Sequence, residues 1–335
     1  MNSAALSAPD GAVIMAQSGF AHDLARLLTL QDASTRTVLL GTGLLGLAAG
    51  VVGALAVLRK RALVSDAVSH AALPGIALAY LTIGGKNFAY FMIGALLTGL
   101  LAAMTISFVR TLTRVKEDAV TALVIGSFFG CGVALSSYVQ NRGSGDRAGL
   151  DTFIYGKAAS MVHADALTIA VVAAACLAVV AVLFKEMRLL CFDRSFAAAQ
   201  GWPVHRLDLL LMGLVCLCTV AGLPAVGVVL MVALLVTPAA AARFWSDRFT
   251  TVVVLSGVFG AVSGVLGTAL SAVLPTTAES LSRGWPTGPV IVLVASLIFA
   301  CSVLLAPRRG VIPAFLRRAA ARADGREPSG RGAGA

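Results

Sequence analysis

The amino-acid sequence predicts an all-α, polytopic integral membrane protein with eight or nine transmembrane helices. Hydrophobic residues make up 58% of the 335-residue chain and charged residues only 13%, and the mean hydropathy is +0.90. Because soluble domains carry about 25% charged residues, this composition excludes an ordinary soluble protein. The chain also repeats apolar runs of about 17–25 residues, the length that an α-helix needs to cross a bilayer.

The candidate spans follow one another from residue 37 to residue 306. The apolar runs are 37–58, 62–83, 88–109, 117–139, 165–184, 207–222, 225–242, 249–274 and 288–306. Only Gly222-Leu223-Pro224 separates the sixth run from the seventh, so these two form either a tight helical hairpin or one long kinked helix. That ambiguity leaves eight or nine spans open. A further segment at 151–163 is too short to span and is expected to form a surface or re-entrant helix.

Basic residues predict the orientation of these spans. With the N-terminus outside and the C-terminus in the cytoplasm, 19 of the 26 Lys and Arg residues fall on the cytoplasmic side, as the positive-inside rule requires. The expected organisation is an extracytoplasmic segment at 1–36, a transmembrane domain at 37–306 and a basic, partly disordered cytoplasmic tail at 307–335. The net charge of +10 is explained by this orientation, so no nucleic-acid partner is expected.

Several sequence motifs are excluded by their context. The G-x-G-x-x-G spacing at 41–46 lies inside an apolar span without a strand before it, so it does not predict a dinucleotide site. In the same span, Gly46 and Gly50 offer a small-residue face for close helix packing. The chain has no P-loop and no H-E-x-x-H motif, so we expect neither ATP hydrolysis nor zinc-protease chemistry from it.

Asp66 and His70 are the candidate metal ligands. They lie four residues apart, so on an α-helix both side chains reach the same ligand. A carboxylate and a neutral imidazole suit a divalent transition metal such as Mn²⁺, Zn²⁺ or Fe²⁺. Pro74 has no backbone N–H, so in a continuous helix the carbonyl of His70, four residues earlier, has no donor. The alternative is that Asp66 only complements the helix start and the basic residues at 59–61.

The loop at 185–206 differs from the other short loops. It contains an Ala-rich, helix-forming run closed by Gly201 and Pro203, between charged flanks on the predicted cytoplasmic side. A short structured helix at this place indicates a docking element for a partner. The alternative is a simple surface connector.

Five ordered stretches resemble the integral-membrane permeases of the ABC-3 family. The stretches are RKRALVSDAVSHAALPGIALAY, EDAVTALVIGSFFGCGVALSS, AGLDTFIYGKAAS, AVGVVLMVALLVTPAAAARF and WPTGPVIVLVASLIFACSVLLAPRRG. The similarity extends from about Thr35 to Gly310. Members of this family import zinc, manganese or iron together with a separate ATPase and a metal-binding solute receptor.

The resemblance implies a translocating subunit of the bacterial inner membrane that is not itself an enzyme. It implies that Asp66 and His70 lie on the metal path, and that 193–201 form the helix that seats in the ATPase, with Asp193, Ala197, Ala199 and Gly201 as its docking residues. The family usually has a proline and an acidic residue where Arg194 and Ser195 stand.

The expected partners are a P-loop ATPase, an extracytoplasmic metal receptor, a second permease chain of the same or a related sequence, and the bilayer. No bound cofactor is expected besides the transported ion, for which manganese is favoured over zinc and iron. A proton-coupled secondary metal transporter is the alternative, because the prolines within the apolar runs suit such a carrier equally well. Uptake that follows the pH gradient and survives ATP depletion would select that alternative.

Overall fold

The computed structural model describes residues 33–83, 88–141, 163–273, 286–307, 309–313 and 315. Within these residues the regular structure is helical and contains no strand, as predicted. The helices are α1 Ala33–Leu58, α2 Ala62–Ile83, α3 Phe88–Leu112, α4 Glu117–Asn141, α5 His163–Val182, α6 Phe184–Phe192, α7 Arg194–Ala199, α8 Val204–Val226, α9 Val228–Trp245, α10 Phe249–Val273 and α11 Thr287–Leu305. The surface helix predicted at 151–163 lies almost wholly outside the described residues, as do most of the N-terminal segment and the tail.

The long apolar helices match the predicted spans. In the described part of the chain, eight of them are long and apolar enough to cross a membrane, and residues 230–245 of α9 form a shorter apolar helix. The first span begins at Arg36, one residue before the predicted boundary at 37, inside a helix that begins at Ala33.

The break between the sixth and seventh apolar runs lies at Gly227, not at the predicted Gly222-Leu223-Pro224. Helix α8 continues through Pro224 and ends at Val226. Gly227 follows with a φ of +95°, a conformation that glycine adopts without steric cost. A proline removes one helical hydrogen bond, whereas the backbone at Gly227 leaves the helical region altogether. The break was therefore placed a few residues too early, and of the two alternatives the structure shows two helices separated at Gly227.

Helix α9 runs beside α11 and in the same direction. Near their starts, a Cβ added at Gly288 would lie 2.6 Å from the Val226 carbonyl and 3.0 Å from Leu230 Cδ1. Near their ends, the Trp245 indole nitrogen donates to Ser302 Oγ at 3.0 Å. At about 1.5 Å per residue, the stretch of α11 between these contacts is roughly 21 Å long. Helix α9 therefore covers most of the depth that α11 covers.

Glycines hold α1 against α10. A Cβ added at Gly46 would overlap the Gly260 carbonyl, and one added at Gly50 would overlap the Ser256 carbonyl. The Ser256 hydroxyl donates to the Gly50 carbonyl at 2.6 Å. Backbones can approach this closely only where the facing residues are small, as glycine and serine are here. The prediction of a packing face at Gly46 and Gly50 is confirmed.

Helix α2 is largely buried, as are α1 and α8, whereas its neighbours α3 and α4 are mostly exposed. The apolar windows of α1, α2 and α8 are 78%, 67% and 78% buried, but those of α3 and α4 only 28% and 22%. A Cβ added at Gly75 would overlap the Gly94 carbonyl, so α2 and α3 touch backbone to backbone. The outward faces of α3 and α4 remain available for lipid or for another chain.

Candidate metal site and coupling surface

Helix α2 brings Asp66 and His70 together as predicted. His70 Nε2 lies 3.4 Å from Asp66 Oδ1, and the two side chains are 21% and 35% exposed, respectively. The Nδ1 atom of His70 is buried and has no hydrogen-bond partner within the described residues. The Nε2 atom of His70 and the Asp66 carboxylate, which face each other, form a donor pair that a divalent transition metal can use.

Phe129 and Pro74 define the surroundings of this pair. The Phe129 ring on α4 stands edge-on to the His70 imidazole, with 5.1 Å between ring centroids and 81° between ring planes. Pro74 lies one turn after His70, and α2 continues through it. Because proline has no N–H, it cannot donate to the His70 carbonyl. That carbonyl oxygen therefore lacks its usual helical donor, close to the two candidate ligands.

The described part of one chain does not complete a metal site. Among these residues, no group of three or more His, Cys, Asp or Glu side chains is placed to hold one ion. Zn²⁺, for comparison, is usually held by about four ligands. Asp66 and His70 thus supply half of such a set, and water, backbone oxygens or another chain must supply the rest.

The arginines before α2 bind a carboxylate other than Asp66. Arg59 Nη2 lies 2.7 Å from Asp208 Oδ1, and Arg61 Nη2 lies 2.7 Å from Asp208 Oδ2. We refer to Arg59, Asp208 and Arg61 as the arginine–aspartate cluster. The three side chains are only 12%, 6% and 6% exposed. Because Asp208 is a charge partner for both arginines, neutralising them does not require Asp66.

The loop between α5 and α8 folds into two short helices, α6 and α7, that meet at Asp193. One Asp193 carboxylate oxygen accepts from the Ser195 hydroxyl at 2.6 Å and from the Phe196 N–H at 3.0 Å, which caps α7. The Ser195 hydroxyl, followed by the Phe196 N–H, lowers the pKa of Asp193 because both hydrogen bonds favour the carboxylate. The predicted helix at this place is confirmed, and Asp193 is its N-cap.

The other predicted docking residues point in different directions. Ala197 is buried within the chain, while Ala199 is exposed. Gly201 follows the helix with a φ of +82°, a left-handed conformation that favours glycine. Phe196 and Trp202 are exposed to 50% and 42%. Ala199 and these two aromatic residues are thus exposed parts of this loop, while Asp193 and Gly201 shape its backbone.

Sequence reasoning missed Asp208, Phe129 and the two exposed aromatic residues. Asp208 is a carboxylate two residues inside a predicted span, and an ionisable residue in such a position is a signal by itself. Its two arginine partners lie about 150 positions earlier in the chain, so the sequence gives no reason to pair them. Phe129 and Trp202 carried no signal, since exposed and buried aromatic residues look alike in an apolar sequence.

The chain matches known proteins over most of its length. Residues 31–306 match the ABC 3 transport family. The chain belongs to that family. The prediction drawn from the five ordered stretches is confirmed, and an ABC 3 family member of this kind is a multi-pass protein of the bacterial plasma membrane.

Three curated relatives of this ABC 3 family chain differ in the metal that their names give. The manganese transport system membrane protein MntC of Bacillus subtilis is 43% identical over 290 residues, which cover 87% of this chain and 65% of MntC. The zinc transport system membrane protein TroC of Treponema pallidum is 40% identical over 297 residues, covering 89% of this chain and 96% of TroC. The chelated iron transport system membrane protein YfeC of Yersinia pestis is 30% identical, covering 81% of this chain and 86% of YfeC.

Two solved structures share the fold. PsaBC from Streptococcus pneumoniae, in complex with Fab, superimposes with a TM-score of 0.72 at 31% identity, covering 86% of this chain and 97% of that chain. An inward-facing putative metal-chelate type ABC transporter superimposes with a TM-score of 0.58 at 18% identity, covering 79% of this chain. The second likeness shows the fold alone.

Proposed function

We propose that this ABC 3 family chain is the membrane-spanning permease subunit of an ATP-driven importer for divalent transition metal ions, with manganese favoured and zinc or iron as the other candidates. The observation that carries the proposal is the Asp66–His70 pair on α2, in which the imidazole Nε2 faces the carboxylate at 3.4 Å. Relatives named for manganese, zinc and iron transport support the class of cargo. Since such N and O ligands accept several of these ions, the ligands alone do not select one.

Asp66 and His70 are proposed to bind the ion during its passage. They are proposed to supply two of its ligands, while water, backbone oxygens or a second chain supply the others. The partly exposed side chains allow the ion to enter from one side, and the edge of Phe129 limits access from another. The ion is the cargo of the protein, so binding at these residues is transient.

A second permease chain is proposed to complete the pathway. The largely uncovered helix α4 carries Gly126 and Gly130, and added Cβ atoms there would meet nothing within 4 Å. These glycines lie four residues apart, a spacing that permits close approach of another helix. Because α4 also carries Phe129, a chain docked there would adjoin the Asp66–His70 pair and could contribute further ligands.

Helix α7 is proposed to dock into a separate P-loop ATPase. Its support is the capped helix, the exposed Ala199, Phe196 and Trp202, and the cytoplasmic side predicted from the basic residues. A metal-binding receptor on the opposite side is proposed to deliver the ion. The N-out, C-in orientation is part of the same proposal, because it places α7 with the ATPase.

The decisive experiment measures metal uptake. Metal-starved cells carry the permease with its ATPase and receptor, and their manganese, zinc and iron contents are determined by mass spectrometry. Asp66→Ala combined with His70→Ala is expected to abolish the increase in one of these metals. The control combines His163→Ala with Asp165→Ala, which removes the same residue types at the start of α5. If the Asp66 and His70 variant accumulates metal like the control, the assignment of these two ligands is wrong.

Two further measurements test the ATP-driven mechanism. Uptake is expected to stop on ATP depletion and to persist when the pH gradient is collapsed, whereas the reverse would select a proton-coupled carrier. Phe196→Ala is expected to weaken co-purification of the ATPase. The matched control is Phe108→Ala, which removes another exposed phenylalanine side chain, from α3. Equal ATPase recovery with both variants would count against docking through α7.

A further inference from the structure

The arginine–aspartate cluster connects the loop that carries α7 to the start of α2, the helix with Asp66 and His70. Arg59 and Arg61 belong to the turn between α1 and α2, and Asp208 lies in the second turn of α8. Besides its bond to Asp208, Arg59 donates through Nη1 to the Leu190 carbonyl of α6 at 3.0 Å. Leu190 precedes α7 and Asp208 follows it. Arg59 therefore binds the chain on both sides of the coupling helix.

The connection from α7 to Leu190 is short and rigid. Asp193 ends α6, where its N–H donates to the Leu189 carbonyl at 3.0 Å, and the same residue caps α7. On the other side of α7, the Trp202 N–H donates to the Ala197 carbonyl at 3.1 Å, which folds the chain back toward α8. Movement of α7 is therefore passed to Leu190 and Asp208, which Arg59 contacts together.

The connection from the cluster to the metal ligands is equally direct. Lys60 has a φ of +59°, and the turn is closed by bonds from the Lys60 N–H to the Val57 carbonyl and from the Arg61 N–H to the Ala56 carbonyl. These are the two bonds of a Schellman helix end, which fixes the angle between α1 and the next segment. The Arg61 carbonyl then accepts from Val64 in the first turn of α2.

The distance from the cluster to the metal ligands is small. At about 1.5 Å per residue, Asp66 and His70 lie roughly 7 and 13 Å beyond Arg61 along α2. Because α2 is a continuous helix over this stretch, it moves as one piece. A displacement of Arg61 therefore changes the position of both metal ligands.

We propose that Asp208, clamped by Arg59 and Arg61, is the positioning residue through which movement of the ATPase-bound helix α7 reaches the metal-binding helix α2. The proposal rests on the proposed function, since it takes α7 as the coupling helix. A buried ion cluster is a weak source of stability, because desolvating the charges offsets much of their attraction. Such a cluster does fix the relative positions of the segments that it joins, because charge-assisted hydrogen bonds from the arginine guanidinium are directional.

Asp208→Asn tests this directly. The permease is reconstituted in proteoliposomes with its ATPase and receptor, and Mn²⁺ transported per ATP hydrolysed is measured. The variant is expected to keep hydrolysing ATP while this ratio falls roughly fivefold or more, the lower end of typical coupling between distant sites. The control, Asp247→Asn, removes an exposed carboxylate bound to Arg309 at 2.6 Å and is expected to leave the ratio unchanged.

Two more variants keep the test decisive if Asp208→Asn does not fold. Arg59→Lys retains the charge and the Arg61–Asp208 bond, but an ammonium group does not span Leu190 and Asp208 as the guanidinium fork does. The triple variant Arg59→Met, Arg61→Met, Asp208→Leu replaces the cluster by apolar side chains, which commonly preserves folding. Both are expected to lower the ratio of Mn²⁺ to ATP.

An unchanged ratio of Mn²⁺ to ATP in these variants would overturn the proposal. This holds also when both rates fall in proportion, because a merely structural role lowers transport and ATP hydrolysis together. A permease with 193–201 scrambled separates this result from the proposed docking. If the scrambled chain still couples hydrolysis to transport, the assignment of α7 is wrong. If only the scrambled chain fails and the cluster variants couple normally, α7 docks but the cluster does not transmit its movement.

Discussion

Gly132 on α4 offers a sharp test of how closely packing controls the metal site. A Cβ added there would lie 2.8 Å from Pro74 Cδ, 2.9 Å from Leu73 Cβ and 3.0 Å from the Pro74 nitrogen. These atoms belong to a ring and a backbone, so none of them can rotate away. Since ordinary contacts begin at 3.4 Å, α4 and α2 must separate by about 0.6 Å.

Gly132→Ala is therefore expected to destabilise the protein and to disturb the site. Forcing a methyl group into a packed contact costs about 1–3 kcal/mol. Each kcal/mol lowers the melting temperature by roughly 2–4 °C for proteins somewhat smaller than this one. Phe129 lies one turn before Gly132 and contacts His70, so the same separation alters the surroundings of the imidazole. We expect a higher Mn²⁺ concentration for half-maximal uptake.

The assay compares thermal unfolding of purified permease and Mn²⁺ uptake in proteoliposomes. Gly213→Ala is the matched control, because the nearest atom to its added Cβ is Leu100 Cδ2 at 4.0 Å. Replacing an unhindered helical glycine by alanine is neutral or stabilises by up to about 1 kcal/mol. The reasoning is refuted if Gly132→Ala melts at or above the temperature of Gly213→Ala with unchanged uptake.

Four further predictions concern the helix packing, the cap of α7 and the ion pair between Arg309 and Asp247. Gly46→Ala should lower the melting temperature more than Gly132→Ala, because its Cβ would overlap the Gly260 carbonyl, and equal melting of the two variants would contradict this. Asp193→Asn should retain the cap of α7 and ATPase co-purification, whereas Asp193→Ala should weaken both. Because the pKa of Asp193 is lowered in the folded chain, the stabilisation of α7 by this carboxylate is present at neutral pH and is lost only as the pH falls below about 3.9. On acidification, the wild type should therefore lose ATPase docking through α7 while Asp193→Asn keeps it. Arg309→Gln should change the melting temperature little, since the ion pair with Asp247 is about half exposed on both sides, and a drop of many degrees would show that it does more.

The sequence was sufficient for the class of protein and for most of the helices. Apolar length is a local property, so runs such as 62–83 and 249–274 predict helices that the structure places within a few residues. The i, i+4 relation of Asp66 and His70 is equally local, because helix geometry alone brings the two side chains within 3.4 Å. The close-packing role of Gly46 also followed from spacing.

The chain reversal at Gly227 was harder to locate. Proline and glycine both interrupt helices, and Gly222-Leu223-Pro224 carries the stronger local signal. The structure keeps Pro224 inside α8 because one lost hydrogen bond is tolerated within a buried helix, and it turns at the glycine that follows. The packing around α8 therefore overrode the stronger local signal in favour of the weaker one.

The sequence by itself determined that this chain is a multi-span helical protein, where most of its helices lie and that Asp66 and His70 share one helix face, because hydropathy and helical spacing act over a few turns. The tertiary structure alone decided that Asp208 joins Arg59 and Arg61 beside the loop that carries α7, and that Phe129 faces His70. These contacts join residues from helices far apart in the chain. Which helices become neighbours depends on how all of them pack together, and no local pattern encodes that.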